Sequence, residues 1–135
     1  MKVIVDTSVW SLALRRNKDI ENKYVEELEE LIKEVRAQLI GPVRQELLNG
    51  IKSDKQFRAL KKHLRAFKDL EIDTEDYELA AEYFNTARKN GIQGSNTDFL
   101  LCAISIRHRM PIFTSDKDFS NYQSVIPIEL HKTRT

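Results

Sequence analysis

A chain of 135 residues, 41% apolar and 32% charged, is long enough to bury a core without disulfides or a structural metal. Four glycines and three prolines leave little room for linkers, and 22 basic against 21 acidic residues balance to +1, so net charge alone indicates no polyanionic partner. No apolar run approaches the ~20 residues that span a bilayer, no cleavage pattern follows the N-terminal Met-Lys, and the lone Cys102 excludes an internal disulfide, which together predict a cytoplasmic protein with one domain over residues 1–135 and no membrane contact.

The chain opens on "KVIV" (2–5), a short apolar run that predicts a buried strand. A helix follows from about Thr7, with Val9, Trp10, Leu12 and Leu14 as its apolar surface. Over 18–37, Tyr24, Val25, Leu28, Leu31, Ile32 and Val35 recur at steps of three and four, which predicts a long helix whose wide apolar face suits a dimer or partner-helix contact. "QLI" (38–40) is a second strand, and Gly41-Pro42 starts a helix, "PVRQELLNG", closed by Gly50. Ser53 and Gln56 have capping-box spacing before a basic helix over 54–68. "LEID" (70–73) is a third strand, Thr74 caps a helix of about 75–90 that ends at Gly91, and "GIQGSN" is a turn. Ser95 or Asn96 starts the apolar helix "TDFLLCAISIRHR", which runs up to Met110-Pro111. "IFT" (112–114) is a fourth strand, "SDKDF" a loop into a short helix, and "PIEL" (127–130) a last strand. Strands alternating with helices predict an α/β fold, a three-layer sandwich whose central, mainly parallel sheet of four to five strands is flanked by helices.

In such sheets ligands bind beyond the carboxyl ends of the strands. Asp6 lies just past the first strand, and Asp116 repeats the pattern after "IFT", with hydroxyls beside each: Thr7 and Ser8 in one case, Thr114 and Ser115 in the other. Glu46 sits on the helix after the second strand, and Asp98 in the first turn of "TDFLLCAISI". Four carboxylates sharing a desolvated pocket suffer large pKa rises unless a cation sits among them. An oxygen-only set, with His63, His108 and His131 too scattered to join it, favours Mg²⁺ or Mn²⁺ over zinc, as one or two ions.

Taken singly, each acid has a plainer reading. Asp6 is a good helix cap, Asp98 completes a capping box with Ser95, Glu46 is a solvated helix residue, and Asp116 competes with Asp118 to cap the turn that follows. Only the joint placement argues for a site. Residues 55–68 carry six Lys or Arg and no acid. Arg58, Lys61, Lys62 and Arg65 there, with Arg15 and Arg16 near the end of the first helix, are either a solvated face or an RNA-phosphate contact surface. Trp10 and the other aromatics read as core, and Cys102 in "LLCAI" as a buried small hydrophobe.

"VDTSVW", the Glu of "PVRQELLNG", "NTDFLLCAIS" and "IFTSDKDF", in that order along nearly the whole chain, resemble the PIN domain in its small form, the VapC-like toxins of toxin–antitoxin pairs. The resemblance implies a Mg²⁺- or Mn²⁺-dependent endoribonuclease with Asp6, Glu46, Asp98 and Asp116 as catalytic, metal-holding acids and Asp118 as a more peripheral one. Thr7, Ser8, Thr114 and Ser115 fall where the family has hydroxyls that support the acids, and Asn96 where some members carry another acid or a small polar residue. It further implies a homodimer, an RNA substrate and a VapB-like antitoxin. Water attack in line with the phosphodiester leaves a 5′-phosphate and a 3′-hydroxyl. A housekeeping RNA-processing nuclease of the same family and a module that binds RNA or a partner without cutting are the alternatives. A phosphatase with a strand-end Asp nucleophile needs a second Asp two residues on, where Ser8 stands.

Overall fold

The computed structural model describes residues 1–15 and 21–135. Arg16, and the start of the helix expected from residue 18, lie outside the described residues. The elements run β1 (Val3–Val5), α1 (Thr7–Arg15), α2 (Lys23–Lys33), β2 (Ala37–Gln38), α3 (Gly41–Leu48), α4 (Asp54–Leu64), α5 (Thr74–Lys89), α6 (Asn96–His108), β3 (Ile112–Phe113) and α7 (Asp118–Gln123). The fold is the expected α/β class, a parallel sheet flanked by helices.

The sheet order is β2-β1-β3, all parallel. Register pairs Val3 with Ala37 and Ile4 with Gln38 on one side of β1, and Ile4 with Ile112 and Val5 with Phe113 on the other. A central parallel strand is covered on both faces, which is why β1 is an unbroken apolar run rather than an alternating one: Val3, Ile4 and Val5 are all fully buried.

Among the described residues three strands form where four to five are expected: 70–73 forms none, the bridge on that edge joining Leu39 to Asp69 just before it, and 127–130 shrinks to the bridge of Ile112 with Leu130. On the first edge Arg44 explains the loss. Its guanidinium donates to Leu64 O (2.9 Å) and Phe67 O (2.6 Å) and grips the Asp69 carboxylate. That closes α4 at Leu64 rather than residue 68 and curls the chain until Leu70 N meets Leu39 O at 3.0 Å. The chain then enters a helix at once: Asp73, not Thr74, is the cap of α5, in a reciprocal box with Asp76. On the other edge only Ile112 N to Glu129 O (2.9 Å) and His131 N to Ile112 O (2.8 Å) reach the sheet.

Helix α2 also ends earlier than its apolar repeat, at Lys33, in a Schellman turn: Arg36 N bonds Leu31 O and Val35 N bonds Ile32 O. Val35 occupies the left-handed position of that turn, at φ 57°, and is exposed. The equivalent residue after α5 is Gly91, at φ 72°. A β-branched residue in this region is strained by about 1–2 kcal/mol. Val35→Gly is therefore expected to stabilise the protein, by about 0.5–1 kcal/mol once the greater freedom of unfolded glycine is counted. An unchanged or lower urea midpoint contradicts this.

The core surrounds the sheet, with Trp10 edge-to-face on Phe67 (5.0 Å) and Phe84 on Phe99 (5.6 Å). Cys102 is buried, as expected. Burial, then the charges of Asp98 and Asp6, push its thiol far above the usual range, so it stays protonated. Among the described residues no helix is long and apolar enough to cross a membrane.

Candidate active site

Parallel pairing of β1 and β3 brings their carboxyl ends side by side, and the first two turns beyond them interlock. Asp6 N donates to Phe113 O at 2.9 Å. The Asp6 carboxylate, 5% exposed, accepts through Oδ2 from Ser8 Oγ (2.7 Å), Ser8 N (3.3 Å) and Thr114 Oγ1 (2.9 Å). Both hydroxyls are themselves fixed from β3's side: Ser115 N donates to Ser8 Oγ and Asp116 N to Thr114 Oγ1, each at 3.0 Å. Asp6 is thus a helix cap, and the capping bond and both hydroxyl bonds use Oδ2 alone. None of them occupies Oδ1.

Asp98 enters from the first turn of α6. Ser95 Oγ accepts from Asp98 N at 3.1 Å, which is half of the expected capping box. The Asp98 carboxylate does not return the bond. It accepts instead from Tyr122 Oη, on Oδ2 at 2.6 Å. Burial raises the pKa of Asp6 above the usual carboxylate range despite the bonds from Ser8 and Thr114, and Asp116 adds to the rise. Burial likewise raises Asp98, with further push from the charges of Asp6 and Asp116. The Tyr122 phenol, shifted up by burial and then by Asp98, stays protonated and is therefore a donor. These three acids feel one another through the protein. Among the described residues the ion pairs lie elsewhere, those with buried carboxylates at Asp76 and Glu27.

Glu46, on α3, is exposed and accepts from Thr7 Oγ1 at 2.6 Å. Asp118 opens α7, with its N–H on Asp116 Oδ1 (2.9 Å) and its own side chain exposed. Asn96 is exposed and lines a groove with Pro42, Tyr77 and Phe84, away from the hydroxyl network. Among the described residues no group of three or more His, Cys, Asp or Glu side chains is gathered into a ready ligand set. The raised proton affinity of the Asp6 and Asp98 carboxylates, oxygen donors both, is the chemistry that a hard divalent cation satisfies.

An open groove of about 730 Å³ runs beside Glu46, lined by Ser11 and Arg15 of α1, Asn49 and Lys52 after α3, and Gln56, Leu60 and His63 of α4. Arg58, Lys61, Lys62 and Arg65 are all exposed, but on α4 the residues that face this groove are Gln56, Leu60 and His63. Lys52 and His63, which carry no motif, escape a reading of the sequence. So does Tyr122, whose spacing from Phe119 marks it only as core.

The PIN-domain family profile matches residues 3–124. No curated protein matches the chain. Among solved structures, the chain is similar to FitAcB from Neisseria gonorrhoeae, at 20% identity over 96% of each chain with a TM-score of 0.76. It is similar to VapBC2 from Rickettsia felis, bound to a DNA fragment from its promoter, at 17% identity over 97% of this chain and 98% of that one, with a TM-score of 0.74. A third similar structure is VapBC-5 of Mycobacterium tuberculosis, from the VapBC family of toxin–antitoxin systems, at 17% identity over 98% of each chain and a TM-score of 0.69.

Proposed function

The chain belongs to the PIN-domain family, and on that premise we propose that it is a metal-dependent endoribonuclease, the toxin of a toxin–antitoxin pair. Asp6, Glu46, Asp98 and Asp116 would hold Mg²⁺ or Mn²⁺, with Asp118 peripheral. The observation that carries this reading is the buried Asp6 carboxylate, clamped through one oxygen by Ser8 and Thr114 and coupled through its charge to Asp98 and Asp116, none of the three being in an ion pair among the described residues. When bound, the ion supplies Lewis acidity and a water of lowered pKa. The protein's own part is to hold carboxylate oxygens in place before that. Ser8 and Thr114 fix the Asp6 rotamer, Ser115 and Asp116 backbone N–H groups fix those hydroxyls in turn, and Thr7 steadies Glu46 at the rim.

RNA follows the groove beside Glu46 in this reading, with Arg15, Lys52 and His63 meeting phosphates. Lys52→Glu is expected to weaken RNA binding and flatten its salt dependence by about 0.7 in the log–log slope. Lys62→Glu, on a residue outside the groove lining, should change both much less. Equal losses at the two positions would move the RNA path onto the outer face of α4. The partners that go with the reading are RNA, a VapB-like antitoxin and a second copy of the chain, in the cytoplasm. The similar VapBC and FitAcB structures support the toxin assignment.

Incubation of mixed RNA with the purified protein tests the activity. Cleavage in Mg²⁺ or Mn²⁺ that stops in EDTA is the expected result. RNA that is bound yet stays intact in both metals would make the protein a binding module.

A further inference from the structure

One buried group outside the acids is aimed into the site. Tyr122, on α7, is fully buried between Phe99 (5.0 Å, 47°) and Phe119 (5.1 Å, 72°), and its hydroxyl donates to Asp98 Oδ2 at 2.6 Å. The ring reaches that position because residue 94 has no side chain. A Cβ on Gly94 would collide with the Tyr122 hydroxyl and stand 2.8 Å from Cζ and 3.0 Å from Phe99 Cε2. Gly94 has no positive φ to demand glycine, so the close approach of the phenol is the reason it is there.

The geometry has a direction. Asp98 N is held by Ser95 at the start of α6, and its carboxylate Oδ2 by a ring that two aromatic neighbours keep from turning. Ser8 and Thr114 treat Asp6 in the same way, through Oδ2 only. Buried Asp6 and half-buried Asp98 are therefore both held by neutral hydroxyl donors on Oδ2, an arrangement that orients a carboxylate without neutralising it.

We propose that Tyr122, seated by Gly94, is a positioning residue that fixes the Asp98 carboxylate for a divalent cation. The inference rests on the reading of Asp98 as a metal-holding acid. It adds to that reading a hydroxyl donor that no strand-end motif contains, delivered by α7.

The test is Mn²⁺ binding to the full chain without RNA, followed by electron paramagnetic resonance, with urea unfolding of each metal-free variant in parallel. Tyr122→Phe keeps the ring and removes one hydroxyl. Its Mn²⁺ dissociation constant should rise about ten- to a hundredfold, the usual loss when a group that orients a ligand is removed. Gly94→Ala, which displaces the phenol, should do the same. Ile128→Val, a buried residue apart from the acids, lowers stability and should leave Mn²⁺ binding unchanged. If Ile128→Val weakens Mn²⁺ as much as Tyr122→Phe does, the effect is loss of packing and the inference fails. If Asp98→Asn weakens Mn²⁺ while Tyr122→Phe does not, Tyr122 has no positioning role, though the metal reading stands. If Asp98→Asn binds Mn²⁺ as the wild type does, Asp98 is not a ligand, and both fall.

Discussion

Asp6→Asn is expected to reduce RNA cleavage by more than about a hundredfold while leaving the fold intact. Groups that merely orient a metal ligand are worth about ten- to a hundredfold, and Asp6 is read here as a ligand itself. The loss should exceed that range. The fold survives because Oδ1 of Asn occupies the place of Oδ2 and can still accept from Ser8 and Thr114. Stability points the same way. Burial opposes the Asp6 charge, and Asp116 adds repulsion, so an uncharged isostere relieves the metal-free protein at neutral pH. The unfolding temperature of metal-free Asp6→Asn should equal or exceed that of the wild type. Adding Mg²⁺ should raise the wild-type value far more than the mutant one, since a ligand that binds only the folded state stabilises it by mass action. Cleavage by Asp6→Asn at more than a tenth of the wild-type rate would remove Asp6 from the chemistry.

The second large effect is on stability, far from the site. Asp76→Ala should cost about 2–4 kcal/mol, combining the lost return bond of the capping box with the breaking of an ion-pair network built on a buried carboxylate. Asp76 is fully buried. It accepts from Asp73 N (3.0 Å) and from Arg107 Nη1 (2.6 Å), with His108 Nε2 at 3.3 Å, and so ties α5 to α6. Burial alone raises its pKa, but the bonds from Asp73 N and Arg107, with the charges of His108 and Arg107, outweigh it and hold the carboxyl below the usual carboxylate range. A carboxyl depressed in the folded state contributes stability above its unfolded pKa of about 4, and loses it as pH falls through the folded value. The gap between wild type and Asp76→Ala in urea should therefore be full at pH 7 and close as the solution is acidified below 4. A gap under about 1 kcal/mol at pH 7, or one that widens in acid, contradicts this account.

The central parts of fold and site are legible in the sequence for one physical reason: they depend on local order. A buried parallel strand has to be continuously apolar, so "VIV" announces itself, and the residues after such strands land at the carboxyl edge of the sheet. Asp6 and Asp116 follow from that rule together with their flanking hydroxyls. What escapes is whatever depends on contacts between distant segments. Residues 70–73 have the composition of a strand, but Arg44, about 25 positions earlier, captures the carbonyls that precede them and leaves one bridge. The capping role passes from Thr74 to Asp73 because Asp76 can return the bond and reach Arg107 as well. Tyr122 reads as core, and it is core. Its second task appears only when Gly94 and Asp98, separate in sequence, are seen around its hydroxyl. Of the basic residues that draw notice in the sequence, Arg15 lines the groove beside Glu46 together with Lys52 and His63, while Arg58, Lys61, Lys62 and Arg65 do not line it.

Asp6, Glu46, Asp98 and Asp116 are proposed to direct water at a phosphodiester, and the chemistry of the cut ends reports on that step. A defined RNA cleaved by the wild-type protein in Mg²⁺ should yield 5′-phosphate and 3′-hydroxyl ends. Products ending in 2′,3′-cyclic phosphate would mean that the RNA's own 2′-hydroxyl is the nucleophile, and would contradict the role given to the acids.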